Sequence, residues 1–297
     1  MQLKHFVHPD HPALFEIRRS DGRCDLRSVA KASVVRDFYT FTDKRGEKHY
    51  DVEHGLGKLE TKNAPTICKL IESGVNSLDE EERAFLSNFL AIQLHRTKLM
   101  RAFADESYNQ LLDPAKALEF FKQIKPTVEK DFDRQEIEDF ESKLRSGQPL
   151  DMDKNFFIKY CLPPASPRFA FAINEMHWRI ECAKHNESVF VVGDVPVAVR
   201  RRGRLSDPTY VGIERKDLDA EMYFPLSYNK LLIASWKKSR SRRVYASRFR
   251  VTELNKIAIV SSFESVFAPV DTDEIIDLVR SLSSVQVRKP PFDILKN

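Results

Sequence analysis

The chain has 297 residues, of which 42% are hydrophobic and 31% charged, and its formal net charge is +4. This composition is typical of a globular protein with a substantial core and excludes a chain that is disordered throughout. The sequence has no run of about 18 apolar residues and no apolar signal segment near Met1, so we expect a cytoplasmic protein without membrane spans.

The first half of the chain predicts a small β unit followed by helices. Residues 13–18 alternate apolar and polar side chains before a turn signal, and residues 36–41 precede a second turn, so we expect antiparallel strands within 1–50. Helical spacing predicts helices over 52–73, from Ser77 to about 112, over 114–125 and over 134–145. Pro65 predicts a kink or break in the first of them.

The second half predicts mostly strands. Residues 176–182 and 189–199 flank a polar turn and predict a hairpin, and residues 221–225 and 230–236 predict two further strands. Helices are predicted over 252–268 and 271–282. The expected fold class is α+β, with an N-terminal β unit, a helical middle (51–150) and a mostly antiparallel C-terminal sheet with a terminal helix. We expect residues 1–297 to form one interwoven domain.

Polar residues interrupt two apolar helical stripes. Arg96 lies in the stripe of the second helix with Gln93 beside it, and Glu60 interrupts the stripe of the first helix one heptad after Glu53. Because an unpaired buried charge is costly, we expect Glu60 to pair with Arg96 across a helical hairpin. Two interpretations stay open, a structural ion pair or a polar pocket in which Arg96 faces an anion.

Charge is distributed unevenly along the chain. Residues 104–153 hold 13 acidic and 7 basic residues, whereas residues 200–250 hold 14 basic and 5 acidic residues. The basic side chains interleave with Trp236, Tyr245 and Phe249, a mixture that suits phosphate contacts and base stacking but also occurs in solvated loops. The candidate nucleic-acid-binding residues are Lys237, Lys238, Arg240, Arg242, Arg243, Arg248 and Arg250. A second basic cluster comprises Arg200, Arg201, Arg202 and Arg204.

Other motifs are weaker. Asp194 ends an apolar strand before Pro196, where its carboxylate could reach into a site or cap a turn. His5, His8, Asp10 and His11 lie close together, but their loop lacks the spacing of a zinc motif. The four cysteines form no CxxC pair, and no nucleotide-binding glycine loop or GxSxG elbow is present.

The chain resembles the bacterial family catalogued as domain of unknown function 4238 from about residue 5 to residue 269. The resemblance rests on short motifs in a fixed order, with departures at His8, Pro12 and Lys98. The motifs are His5 to His8 leading to Leu14 and Phe15, Arg36 to Tyr39, Val52-Glu53, Leu59-Glu60, Gln93 with Arg96-Thr97 and Arg101, Trp178, Asp194 to Pro196, Pro225-Leu226 and Leu254-Asn255. The resemblance implies an association of some similar proteins with defence against phages.

These observations support two hypotheses. In the first, the protein is a nucleic-acid-directed effector, nuclease-like, in which Glu53, Glu60 and Asp194 supply acid–base groups or oxygen ligands for a divalent metal. Gln93 and Arg96 would then hold a phosphate, and the basic run would guide the polymer. In the second, the protein is a non-catalytic sensor that binds nucleic acid or protein, and the polar core is structural.

Overall fold

The computed structural model describes residues 2–8, 13–32, 35, 37–128, 133–148, 150–151, 153, 155–158, 166–184, 188–202, 217–239 and 241–285. The fold is α+β, as the sequence predicts. Its helices are α1 (Asp51–Ser73), α2 (Glu80–His95), α3 (Lys98–Leu111), α4 (Pro114–Val128), α5 (Arg134–Arg145), α6 (Ser166–Glu175), α7 (Arg248–Ser261) and α8 (Asp273–Ser281). Its strands are β1 (Leu14–Arg18), β2 (Cys24–Arg27), β3 (Phe41–Thr42), β4 (Lys48–His49), β5 (His177–Ala183), β6 (Val192–Gly193), β7 (Ala198–Arg201), β8 (Ala220–Ser227), β9 (Lys230–Ser235), β10 (Arg243–Ala246) and β11 (Ser265–Ala268).

A four-stranded antiparallel sheet joins distant parts of the sequence. Its strand order is β2-β1-β11-β6, and Phe15 of β1 lies opposite Ala268 of β11. Ile17 and Val266 pack with Ile259 of α7 and Val279 of α8, so helices cover one side of this sheet. The N-terminal β unit is therefore completed by a strand from the C-terminal half.

A five-stranded sheet with the order β10-β5-β9-β8-β7 forms the centre of the molecule. One face packs against helices through Leu90 of α2 and Ile173 of α6, and the other packs against α7 through Leu254. Because both faces are covered, β8 is buried along its whole length. The β10–β5 pair is parallel, while the other neighbouring pairs are antiparallel.

The predicted helix from Ser77 to about 112 is wrong in its length, because the chain forms two helices there. A capping box of Asp79 and Glu82 starts α2, which ends at His95. Arg96 leaves the helical conformation with φ −87° and ψ 53°, and the hydroxyl of Thr97 accepts a hydrogen bond from the amide of Met100 to start α3. The apolar stripe continues across this break, so periodicity alone could not reveal it.

The predicted hairpin of 176–182 with 189–199 is also wrong. Strand β5 pairs with β9 and β10, whereas Val192 and Gly193 pair with β11 in the other sheet. The side chain of Asn255 on α7 takes the place of a neighbouring strand, because it accepts from the amide of Val191 and donates to the carbonyl of Val189.

The predicted helix over 252–268 ends early. Helix α7 spans Arg248–Ser261, and Ser265–Ala268 is a strand. The remaining predictions for helices agree with α1, α4, α5 and α8 to within a few residues, and α1 continues through Pro65 without a break.

Candidate functional site

The candidate residues Glu53, Glu60, Gln93, Arg96 and Asp194 all line one pocket, which we call the central cleft. The cleft has a volume of about 260 Å³. Its lining residues come from six separate segments and include five aromatic side chains. The aromatic lining residues are Phe6, Phe38, Tyr39, Phe89 and Phe267. The fold thus brings together candidates that lie up to 141 positions apart in the sequence.

Arg96 and Glu60 form the ion pair that the sequence predicts. The Nη1 atom of Arg96 lies 2.5 Å from Oε1 of Glu60, and the two side chains are 18% and 23% exposed. Tyr39 completes the arrangement, because its hydroxyl accepts from Nε of Arg96 at 3.1 Å and donates to the carbonyl of Arg96 at 3.2 Å. That carbonyl is available because α2 ends at this point. Burial raises the pKa of Tyr39, which keeps its hydroxyl protonated as a donor.

Gln93 lies one turn before Arg96 on α2 and lines the same cleft. The residue is only 9% exposed. Its side-chain amide forms no hydrogen bond with any residue in the part of the chain that the structure describes. A buried amide normally has partners, so this group has unused capacity to donate and accept inside the cleft.

Asp194 lines the cleft, but its carboxylate accepts hydrogen bonds from backbone amides. It accepts from the amides of Phe263 at 2.7 Å, Glu264 at 2.8 Å and Ser265 at 3.3 Å. The carboxylate therefore fixes the turn between α7 and β11. Burial raises the pKa of Asp194, while these amides and nearby Lys98 oppose that shift. The close approach of Gly193 to Ser262 explains the glycine, since a Cβ there would lie 2.1 Å from the Ser262 hydroxyl oxygen.

Three further side chains stand at the cleft. Glu53 is exposed, and neither it nor Lys4 has an ion-pair partner among the described residues. The Nε2 atom of His5 lies 3.9 Å from the thiol of Cys68. Burial, with the charges of Lys4 and the N-terminal amine, lowers the pKa of His5. The imidazole is therefore neutral near pH 7.

The three acidic candidates do not assemble as metal ligands. Within the described ranges, the one group of three or more such side chains with ligand atoms within 4.8 Å of each other is Asp43, Glu47 and His49. Asp43 and Glu47 lie in the turn between β3 and β4, where Asp43 accepts from the backbone amides of Arg45 and Glu47, and His49 lies on β4. Of the N-terminal candidates, Asp10 and His11 lie outside the described residues.

The structure divides the basic run into two groups. Three members neutralise carboxylates: Arg250 binds Glu181, Arg248 binds Glu274, and Lys237 binds Asp219. Lys238 and Arg243 have no ion-pair partner in the described ranges, and Arg242 bonds only to the neutral side chain of Asn76. Arg240 lies outside the described residues.

The second basic cluster is mainly structural. Arg200 is buried and donates to the carbonyl of Val260 and the hydroxyl of Ser261, and Arg201 pairs with Asp217 at 2.8 Å. Arg202 is exposed, and Arg204 lies outside the described residues.

Two features escaped the sequence prediction. Tyr39 was a motif residue without an assigned role, although an aromatic residue in a polar motif is a signal for a contact like the one that Tyr39 makes with Arg96.

The second feature is a buried ionic network between the five-stranded sheet and α7. Arg179 lies between Glu181 and Glu221, and Glu221 accepts from the hydroxyl of Tyr223 at 2.5 Å. Burial and Glu221 strongly raise the pKa of Tyr223. Side chains alternate along β5, so Arg179 and Glu181 lie on the face opposite the apolar one. In the sequence alone, such a polar face resembles one that is exposed to solvent, because the sequence does not show that α7 covers it.

In the described ranges, no helix is long and apolar enough to cross a membrane. No curated protein and no solved structure matches the chain. One family model matches residues 1–271, nearly the whole length. The motif residues His5, Glu53, Glu60, Gln93, Arg96, Asp194 and Pro196 all line the central cleft. The chain therefore belongs to the family described as protein of unknown function (DUF4238).

Proposed function

We propose that the protein is a cytoplasmic, nucleic-acid-directed effector whose central cleft binds a nucleobase. Small-molecule sites are concave, mostly apolar and furnished with a few convergent polar groups, and the cleft has this character. Its aromatic walls, which include Phe38, Tyr39 and Phe89, suit a flat ring.

The single observation that carries the proposal is the side-chain amide of Gln93, which has no hydrogen-bond partner among the described residues. A glutamine amide offers one acceptor and two donors and can pair with a base edge through two hydrogen bonds. Because water access at a side chain only 9% exposed is limited, the amide gains more from a ligand than an exposed glutamine would. Gln93 would therefore both bind the base and select its edge.

The charges around the cleft favour a base over a phosphate inside it. Glu60 compensates Arg96, and Glu264 lies 2.5 Å from Lys98. Asp194 adds a negative charge to the same lining. A phosphate would need surplus positive charge, whereas a neutral ring with polar edges fits a cleft of balanced charge.

Titration calorimetry with nucleosides and nucleoside monophosphates tests the proposal. Gln93→Met keeps the side-chain length and removes the amide. We expect binding to weaken by about 5- to 150-fold, from the loss of a bidentate pair worth about 1–3 kcal/mol. The free energy of unfolding should change little, because the Gln93 amide has no hydrogen bond to a described residue that the substitution would remove.

Gln148→Met is the matched control, since Gln148 is an exposed glutamine after α5. It should leave binding unchanged. A Gln93→Met protein that binds normally but unfolds more easily would assign Gln93 to the core. Absence of binding by any nucleoside to the wild-type protein would refute the base-binding cleft.

His5 supports a second, catalytic version of this function. Its neutral imidazole lines the cleft together with Glu53, whose carboxylate has no ion-pair partner among the described residues, and a neutral imidazole can act as a general base. Cleavage of RNA, tRNA, single-stranded DNA and plasmid would be measured with Mg²⁺, with Mn²⁺ and with a chelator.

We expect His5→Gln to abolish cleavage but not nucleoside binding, and His49→Gln, on β4, to change neither. Equal cleavage by wild type and His5→Gln would exclude this role. The association with phage defence stays a prediction, which the plating efficiency of phages on expressing and non-expressing cells would test.

A further inference from the structure

Three basic side chains near β10 carry charge that no carboxylate among the described residues compensates. Lys238 and Arg243 have no ion-pair partner among the residues that the structure describes, and Arg242 bonds to a neutral amide. Burial, together with the charge of Arg242, lowers the pKa of neighbouring Arg83. By contrast, Lys237 and Arg248 in the same segment form ion pairs with Asp219 and Glu274.

Two exposed aromatic rings lie close to these cations in the sequence. Tyr245 on β10 is 67% exposed, and Phe249 in the first turn of α7 is 76% exposed, the highest value among the large apolar side chains described. They are four residues apart, so their Cα atoms lie within about 14 Å of each other. Arg243 and Tyr245 share one face of β10, because side chains two residues apart in a strand point the same way.

We propose that Lys238, Arg242, Arg243, Tyr245 and Phe249, here named the basic-aromatic strip, bind single-stranded nucleic acid. Exposed aromatic rings stack on bases whose faces are free, and such faces are available in a single strand but not inside a duplex. The adjacent uncompensated cations match the phosphates of the same strand. The inference rests on the proposed function, since it supplies the polymer from which the cleft takes one base.

The geometry also gives a length for the bound strand. The Nη2 atom of Arg243 lies 3.4 Å from the position that a Cβ would occupy at Gly74, the C-cap of α1. Glu60, in the central cleft, precedes Gly74 by 14 residues on the same helix, about 21 Å at 1.5 Å per residue. At roughly 3.4 Å per stacked nucleotide, on the order of six nucleotides span the strip and the cleft.

Fluorescence anisotropy with labelled single-stranded DNA of three, six and twelve nucleotides, and with the twelve-base-pair duplex, tests the proposal. We expect affinity to rise up to about six nucleotides and then level off, and the duplex to bind at least about tenfold more weakly. The Tyr245→Ala/Phe249→Ala protein should bind the twelve-nucleotide strand at least about tenfold more weakly.

Two charge-matched double variants separate the strip from general electrostatics. Lys238→Gln/Arg243→Gln should reduce the slope of log affinity against log salt by about 1.4, at roughly 0.7 per phosphate contact. Lys237→Gln/Arg248→Gln removes the same charge from paired positions and should reduce the slope by less than half as much. Equal slopes for the two variants, or equal affinity for duplex and single strand, would overturn the proposal.

The same titrations distinguish failure of the strip from failure of the cleft. Strand binding that depends on Tyr245 and Phe249, without any binding of nucleosides, would retain the strip and reject the base-binding cleft. Nucleoside binding that depends on Gln93, with wild-type strand affinity in both strip variants, would retain the cleft and reject the strip. Thermal unfolding confirms that each variant is folded, as expected for substitutions at exposed positions.

Discussion

Arg250 forms part of a basic run in the sequence, yet its guanidinium pairs with a buried carboxylate. It lies 2.8 and 3.0 Å from the two carboxylate oxygens of Glu181, a residue that is almost fully buried. Arg250→Gln leaves that carboxylate without its bidentate partner, so we expect the free energy of unfolding to fall by about 3 kcal/mol in urea titrations. Arg248→Gln, at an exposed pair, should cost less than about 1 kcal/mol. Equal costs would contradict a structural role for Arg250.

His95 should make stability depend on pH. Burial lowers the pKa of His95, and its ring Nδ1 donates to the carbonyl of Ala91. The unfolded chain then binds the proton more readily, so the free energy of unfolding falls as the pH falls below about 6.5. His95→Leu should flatten this dependence between pH 7.5 and pH 5.5, whereas His177→Gln, at an exposed position, should not. An unchanged slope in the His95 variant would show that other groups cause the effect.

Single residues were predictable where a helical period made them anomalous. Glu60 and Arg96 interrupt apolar stripes, and the structure pairs them. Helical periodicity could not show that the carboxylate of Asp194 accepts from the amides of a turn 69 to 71 residues further along the chain. Nor could it show that Tyr39 reaches Arg96, because both contacts depend on the tertiary fold.

The break between α2 and α3 is the element that shapes the central cleft, and its stability depends on Thr97. The Thr97 hydroxyl caps α3, whereas Thr272, the N-cap of α8, makes no side-chain capping hydrogen bond. Thr97→Ala should therefore lower the free energy of unfolding by about 1–2 kcal/mol, and Thr272→Ala by only a few tenths. Urea denaturation of both variants measures the difference. Equal losses would show that the hydroxyl of Thr97 is not what stabilises the break.

Elements with strong local signals were predicted well. The capping box of Asp133 and Glu136 sets the start of α5, whose observed bounds equal the predicted ones. Predicted helix ends were wrong where the helical pattern of the sequence continues past the point at which a tertiary contact ends the helix. Helix α7 stops at Ser261 because the chain must turn to pair β11 with β1, and Arg19 donates to the carbonyl of Ser262 at that point.

At the scale of the molecule, the α+β class was predictable from the order of apolar periods, but the strand partners were not. The predicted hairpin failed because Asn255 and β11, both distant in sequence, engage the segment 189–193. Local turn signals favour a strand partner that is near in sequence. In the fold, the burial of both faces of the sheets selects strand partners that are distant in sequence.

The pairing of Phe15 with Ala268 has a consequence for synthesis of the protein. On the ribosome, β1 is made early, while β11 follows more than 240 residues later. At about 5–20 residues per second, the apolar side chains of β1 wait roughly 12–50 s for their partner. The four-stranded sheet thus cannot close until β11 has been synthesised. Strand β1 can pair with β2 at once, but its other edge stays open until then, and open strand edges are the kind of segment that chaperones bind.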